Sequence, residues 1–129
     1  MSTNYYFHRD VCPHCERADK IHHIGKSSVG WCFSLHMDQD LEVTSLEDWK
    51  RVFAEPNSLI ISEYGRQLSV KEMIDIITVR AFNHPTNTTF DYESNGAEPG
   101  PNGLVRSKLD DRCIGHGKGT WDLITGEFS

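Results

Sequence analysis

No stretch of this 129-residue sequence approaches the run of about 20 apolar residues that a membrane-spanning helix requires. The opening segment, MSTNYYFHRD, lacks the apolar region of a secretory signal peptide. Lysines and arginines form no block, and the formal net charge is −6, which disfavours non-specific binding to phosphate backbones. From these absences we expect one cytoplasmic domain whose partner is a protein or a small ligand, with no membrane contact.

Complete catalytic motifs are also missing. The segment IGKSS, residues 24–28, resembles a phosphate-binding loop, but Lys20 stands where that motif requires its first glycine. The segment GHGKGT, residues 115–120, fails because Gly119 follows the lysine where serine or threonine is required. A histidine pair beside a hairpin suggests a ββα-metal nuclease, but the helix LEDWKRVFAE offers no histidine or asparagine to hold the ion. We therefore expect a protein that is not an enzyme.

The alternation of short apolar stretches with turn residues predicts a small α+β fold. We expect residues 1–129 to form a single domain with four successive parts. These are a zinc-ribbon-like β-hairpin in 1–37 with its turn at 25–30, a helix–hairpin–helix segment in 45–82, a long loop in 83–103, and short C-terminal strands in 104–129. The third part is rich in Asn, Thr, Gly and Pro, which is typical of a loop.

Two segments carry the signals of helix starts. Ser45 precedes an apolar pattern with helical spacing that Pro56 ends, and Ser69 with Glu72 forms a capping box before a second such pattern. The spacing also predicts which side chains each helix buries. The expected stripes are Leu46, Trp49, Val52 and Phe53 in the first helix, and Val70, Met73, Ile74, Ile77 and Ala81 in the second.

The segment CPHC, residues 12–15, has the spacing of a zinc knuckle. Two cysteines three positions apart can direct both thiolates to one tetrahedral ion, and Zn²⁺ accepts Cys and His ligands. Thiols stay reduced in the cytoplasm, which favours metal binding over a disulfide. A redox pair of the thioredoxin type would precede a helix, whereas a hairpin is expected here. We therefore predict that Cys12 and Cys15 bind zinc.

The other ligands must come from elsewhere in the chain. His22 and His23 are expected to face opposite sides of a strand, so at most one of them can coordinate. We favour His23 and His36, because the end of the second hairpin strand lies next to the knuckle, and Cys32 is the first substitute. The predicted metal site is therefore Cys12, Cys15, His23 and His36.

A second ligand set stays open. Cys113 and His116, in the segment CIGHG, have the spacing of another knuckle, and a site made of Cys12, Cys15, Cys113 and His116 would join distant parts of the chain through the ion. In either set four protein ligands close the site, whereas a catalytic zinc keeps one position for water. A closed site would stabilise a small domain. We therefore expect the zinc to be structural.

The segment CPHCERADKIHHIGKSSVGWCFSLH, residues 12–36, resembles a group of short proteins encoded by bacteriophages and prophages of proteobacteria. Those proteins begin with an aromatic, basic stretch and a CxxC, and continue into a similar hairpin and an acidic helix. The segments SEYGR, residues 62–66, and GTWDLITGEFS, residues 119–129, are similar to their later parts, so the resemblance covers most of the chain. It implies a phage accessory protein in a bacterial cytoplasm, and it supplies no catalytic residues.

Together these observations predict a non-enzymatic, zinc-stabilised protein that binds a bacterial host protein. Small phage proteins often redirect or inhibit such targets, including defence systems such as CRISPR. The alternative is a zinc-ribbon protein that binds nucleic acid, for which Lys20, Lys26 and the hairpin aromatics are available. A metal-dependent hydrolase or nuclease is a third hypothesis.

Overall fold

The computed structural model describes residues 2–11, 18–28, 30–79, 96–108, 112–116 and 119–125. In these residues a seven-stranded sheet, two helices and a separate two-stranded sheet form one α+β domain, as predicted. The strands, in chain order, are β1 (Ser2–Val11), β2 (Ala18–Ser28), β3 (Phe33–His36), β4 (Leu59–Ser62), β5 (Gln67–Leu68), β6 (Ala97–Pro99), β7 (Val105–Ser107), β8 (Arg112–His116) and β9 (Gly119–Ile124). The helices are α1 (Leu46–Phe53) and α2 (Val70–Thr78).

The large sheet has the strand order β5-β4-β1-β2-β3-β9-β8. Its pairs are antiparallel except β3 and β9, which run parallel with Phe33 opposite Trp121 and His36 opposite Ile124. Because they run parallel, β3 and β9 end at the same edge of the sheet. The chain leaves β3 through Met37, whose backbone N–H donates to Ile124 O at 2.9 Å.

The N-terminal hairpin is present, but its boundaries differ from those predicted. Its strands are β1 and β2, and β2 continues to Ser28, which includes residues 25–28 of the segment expected to be a turn. That segment reads as a turn because it is rich in Gly and Ser, yet pairing with β1 on one side and β3 on the other holds it extended. On the β3 side, β2 pairs only through Gly25 and Lys26. The part of β2 before these two residues therefore runs past the end of β3.

A β-bulge in the β1–β2 pair sets which way the histidines point. Tyr5 lies opposite Gly25, but Tyr6 lies opposite His23, so β2 has one extra residue at this point. Bulges of this kind reorient the side chains beside them. His22 consequently shares the face of Phe7, while His23 shares the other face with Tyr6. The sequence prediction that His22 and His23 face opposite sides agrees with this register.

Both helices begin where their capping residues predict. Ser45 accepts from the backbone N–H of Asp48 at the start of α1, and Ser69 with Glu72 forms the complete capping box of α2. The buried stripe of α1 is the predicted one, whereas Val70 in α2 is exposed and Ile74 only half-buried. Ala81 lies outside the described residues. Neither helix in the described part of the chain has the length and apolar character to cross a bilayer.

The helices cover one face of the large sheet and form the main core with it. Phe7 contacts Phe53 across this core, and Trp49 is fully buried beside it. The sheet contributes further buried side chains to the same cluster. These include Tyr5, Ile24, Phe33, Leu35, Ile60, Trp121 and Leu123. Burial of apolar surface on this scale is what stabilises the fold.

The opposite face carries the small sheet of β6 and β7. Arg106 of β7 reaches Asp122 of β9, with 3.6 Å between Nε and Oδ1, and Asp122 is fully buried. The segment 83–103 was predicted to be a loop. Residues 97–99 of this segment form strand β6, and residues 83–95 lie outside the described residues. The loop prediction fails at Ala97–Pro99 because pairing with Val105–Ser107 overrides the composition of the segment.

Candidate metal centre

A cavity of about 680 Å³ lies where β2 runs past the end of β3. Three histidines and two aspartates line it, together with aromatic and amide side chains. The histidines are His22, His23 and His36, and the aspartates are Asp38 and Asp40. Both faces of β2 contribute to the wall, because His22 and His23 lie on opposite faces of the strand. Imidazoles and carboxylates are the side chains that most often bind metal ions in such a setting.

His22 and Asp38 form a buried pair on the wall of the cavity. His22 Nδ1 lies 2.8 Å from Asp38 Oδ2, and both side chains are about nine-tenths buried. Asp38 follows β3 directly and is held by a two-way backbone bridge to Val43, with bonds of 3.0 and 2.8 Å. The pair thus joins the β2 strand to the loop that leaves β3. The arrangement keeps the His22 ring in one orientation.

Asp40 completes a group that can hold a metal ion. One ligand atom from each of His22, Asp38 and Asp40 lies within 4.8 Å of the other two. Asp40 is exposed, whereas the other two are buried, so one side of the group opens to solvent. His22 Nε2 is buried and has no hydrogen-bond partner among the described residues. A buried nitrogen in that state is unusual in folded proteins and is expected where an ion or ligand binds.

His23 and His36 lie on the other face of the sheet and contact each other. Their ring centroids are 5.5 Å apart, and His36 Nδ1 donates to the backbone oxygen of His23 at 3.1 Å. His23 Nε2 lies 2.8 Å from Asn4 Oδ1, so an amide holds this ring where a carboxylate holds His22. The prediction that these two histidines are neighbours is consistent with this geometry. Their role as zinc ligands stays a prediction.

The two sides of the cavity differ in charge. Burial, and next the proximity of His36, lower the pKa of His23 from 6.5 to about 4. His23 is therefore neutral at physiological pH. Neutral imidazole is the form that binds metals. Negative charge in the cavity comes instead from Asp38 and Asp40.

The predicted cysteine ligands cannot be placed at this cavity from the described chain. Cys12 and Cys15 lie outside the described residues, and Val11 and Ala18 on either side of them pair with each other. Cys32 is buried, and its backbone N–H donates to Val105 O at 2.8 Å. Cys113 lies on β8, the edge strand of the large sheet, opposite Asp122.

Cys113 and His116 both belong to β8, which is separated from the β1–β2 hairpin by β3 and β9. The described residues thus bring together His23 and His36 but assign no position to the two cysteines of the knuckle. Both ligand sets proposed from the sequence remain predictions.

Comparison with known proteins gave no match, either to a protein-family model, to a curated protein or to a solved structure.

Sequence analysis missed the aspartates of the group. The segment HMDQD, residues 36–40, follows the predicted strand with alternating acids, and this spacing was the available signal. It was not sufficient, because the pairing of Asp38 with His22 depends on how far β2 extends beyond β3. How far β2 extends beyond β3 is set by the register of the β1–β2 and β2–β3 pairs and not by any local sequence pattern.

Proposed function

We propose that this protein is a divalent-metal-binding domain and that its ion is zinc. The observation that carries the proposal is His22 Nε2, a buried nitrogen without a hydrogen-bond partner in the described chain. His22 lines a cavity together with Asp38 and Asp40, and one ligand atom from each of these three residues lies within 4.8 Å of the other two. Imidazole and carboxylate together suit zinc, although oxygen ligands alone would also suit magnesium or calcium.

Two ligand sets compete for the zinc. One is the cavity group of His22, Asp38 and Asp40, and the other is the closed set predicted from the sequence, Cys12, Cys15, His23 and His36. The first keeps positions for water or a ligand, and the second has none. The contact between His23 and His36 supports the second set, while the buried nitrogen of His22 supports the first.

Zinc titration of the metal-free protein tests the proposal. We expect uptake of zinc by the wild type and a rise in melting temperature, because a ligand at about 100 times its Kd stabilises the folded state by about 2.7 kcal/mol. Two variants distinguish the ligand sets. His22→Gln abolishes the stabilisation if the ion lies in the cavity group, and Cys12→Ser abolishes it if the knuckle binds the ion. Calorimetry that detects no zinc binding by the wild type would contradict the proposal.

For the biological role, we propose that the zinc-bound domain docks on a bacterial host protein and catalyses no reaction. The proposed consequences of docking include the inhibition of a defence system such as CRISPR. The net charge of −6 supports a protein partner over nucleic acid. Ion pairing supports it too, because most of the basic side chains that the structure describes contact acids. The paired ones are Arg9, Lys50, Arg51, Arg66, Lys71 and Arg106.

A pull-down from nuclease-treated bacterial lysate tests docking, with two matched variants as controls. Ile21 on the cavity wall and Val79 after α2 are each 59% exposed. If the partner binds beside the cavity, Ile21→Asp releases it and Val79→Asp retains it. The captured protein must then bind the purified wild type on its own. In a parallel pull-down from untreated lysate, recovery of nucleic acid alone, lost on nuclease digestion, would favour the zinc-ribbon alternative instead.

A metal-dependent hydrolase is the second candidate, and the open side of the cavity favours it. Asp40 is exposed, so an ion held there would keep positions for water, as a catalytic zinc does. Incubation of the zinc-loaded protein with ester and phosphodiester substrates tests this candidate. Turnover no faster than with free zinc would exclude those two reactions.

A further inference from the structure

The two nitrogens of the His22 ring have different surroundings. Nδ1 lies 2.8 Å from Asp38 Oδ2, inside the protein. Nε2 is equally buried but has no hydrogen-bond partner among the described residues, and the ring lines the cavity. A carboxylate only accepts hydrogen bonds, so the pair with Asp38 requires the ring proton to be on Nδ1. The lone pair of the neutral ring is then on Nε2.

Asp38 has both carboxylate oxygens engaged. Oδ2 contacts His22, while Oδ1 accepts from the backbone N–H of Leu41 at 3.0 Å. The backbone of Asp38 is fixed as well, through its bridge to Val43. An ion at Asp38 would therefore have to share each oxygen with the His22 ring or the Leu41 N–H, and these two contacts already fix the carboxylate in place. Asp40 has no such restraint, because its side chain is exposed.

We propose that Asp38 is a positioning residue and that His22 Nε2 and Asp40 are the residues that bind the ion. This assignment rests on the proposed metal binding. Asp38 holds the Nδ1 proton, which fixes the ring orientation and leaves the lone pair of the ring on Nε2. Metal-bound histidines are commonly held in this way by a carboxylate on the second nitrogen, and loss of that carboxylate typically lowers metal affinity by about 10- to 100-fold.

The assignment also sets the preference of the centre among ions. An imidazole nitrogen suits zinc, cobalt or nickel, whereas magnesium and calcium prefer oxygen ligands. A centre in which Asp38 and Asp40 were the main ligands would bind magnesium as well. If Nε2 is a ligand and Asp38 is not, the protein is expected to bind zinc even when magnesium is present in large excess over zinc.

The experiment combines the tautomer of His22 with zinc affinity. Long-range proton–nitrogen NMR spectra of the metal-free wild type report which ring nitrogen carries the proton. Asp38→Asn and Asp40→Asn are a matched pair, since each replaces one carboxylate of the group with an amide. Zinc affinity of all three proteins is measured by calorimetry with magnesium present, and thermal unfolding verifies that each variant folds.

We expect the Nδ1-protonated ring in the wild type and in Asp40→Asn, and loss of this single tautomer in Asp38→Asn. Zinc affinity should fall by roughly 10- to 100-fold in Asp38→Asn. The Nε2-protonated ring in the wild type would overturn the assignment without any variant. Loss of zinc affinity in Asp38→Asn with an unchanged tautomer would also overturn it, because Asp38 would then be a ligand. A wild type that binds no zinc overturns the proposed function and this inference with it.

Discussion

The two faces of the seven-stranded sheet bury side chains of different chemistry. The face under α1 and α2 buries the main apolar cluster, which includes Phe7, Leu35 and Trp49, and it also carries His22, which pairs with Asp38. The face under β6 and β7 buries Asp122 beside Arg106, and further along the sheet it holds the amide and histidines of Asn4, His23 and His36. Apolar burial depends little on exact geometry, whereas buried polar groups require specific partners. Single substitutions are therefore most informative at the buried polar groups, which the second face has in larger number.

The largest expected loss of stability comes from breaking the ion pair between Arg106 of β7 and Asp122 of β9. Arg106→Met removes the cation whose Nε lies 3.6 Å from Asp122 Oδ1, in a place where Asp122 is fully buried. Breaking a buried pair from one side costs several kcal/mol, because the remaining charge is uncompensated. We expect the free energy of unfolding to fall by about 3 kcal/mol in urea titrations. The double variant Arg106→Met with Asp122→Asn should regain part of this loss, and no regain would argue against the pair.

A smaller loss of stability is expected at Gly25, next to the β-bulge that places His22 and His23 on opposite faces of the sheet. A Cβ at Gly25 would meet Ser34 O and the ring of Phe33, and Ser34 O belongs to the backbone of a paired strand. We expect Gly25→Ala to destabilise the protein by about 2 kcal/mol, as overpacking of a tight site does. Urea titration measures the loss.

Gly65→Ala is the matched control for Gly25→Ala. Its Cβ would meet nothing within 4 Å, and only its positive φ of 85° opposes alanine. That conformation costs about 1 kcal/mol for a residue with a side chain. Equal losses in the two variants would show that steric contact at the bulge is not the cause.

The smallest expected effect is the pH dependence that His23 adds. Its pKa is about 4 in the folded protein and 6.5 in the unfolded chain, because burial disfavours the charged ring. The unfolded state therefore binds more protons between these values, so stability is complete above pH 6.5 and falls as the pH drops toward 4. Partial solvent access reduces the effect to about 1 kcal/mol. His23→Gln should remove this component from metal-free unfolding curves recorded between pH 7 and 4.5, and an unchanged curve would contradict the shift.

Local signals predicted the helices well and the sheet less well. Ser45 and Ser69 fix helix starts through bonds that span three residues, so the sequence contains the whole determinant. The neighbourhood of His23 and His36 also followed from the idea of adjacent antiparallel strands. Strand register depends instead on residues far apart in the chain, and this is why residues 25–28 of the turn predicted at 25–30 are part of β2.

The candidate site shows the same limit. His22 meets Asp38 only because a bulge puts His22 on the face of Phe7 and β2 extends beyond β3. Neither fact can be inferred from the spacing within IHHIG, residues 21–25, or HMDQD, residues 36–40, so the sequence indicated candidate metal ligands but not how they group. Val70 in α2 is a milder case, because helical spacing placed it in the stripe while its position in the first turn leaves it exposed.

The parallel pair of β3 and β9 has a consequence for how the protein folds as it is synthesised. Phe33 and Trp121 are neighbours in the sheet but are separated by most of the chain, so β3 stays an unpaired edge on that side until β9 has left the ribosome. Contacts between residues so far apart slow folding, since the loop between them must first be closed. The cavity includes Met37 and Thr125, which follow these two strands. Its wall is therefore completed only after β9 has paired, late in the assembly of the domain.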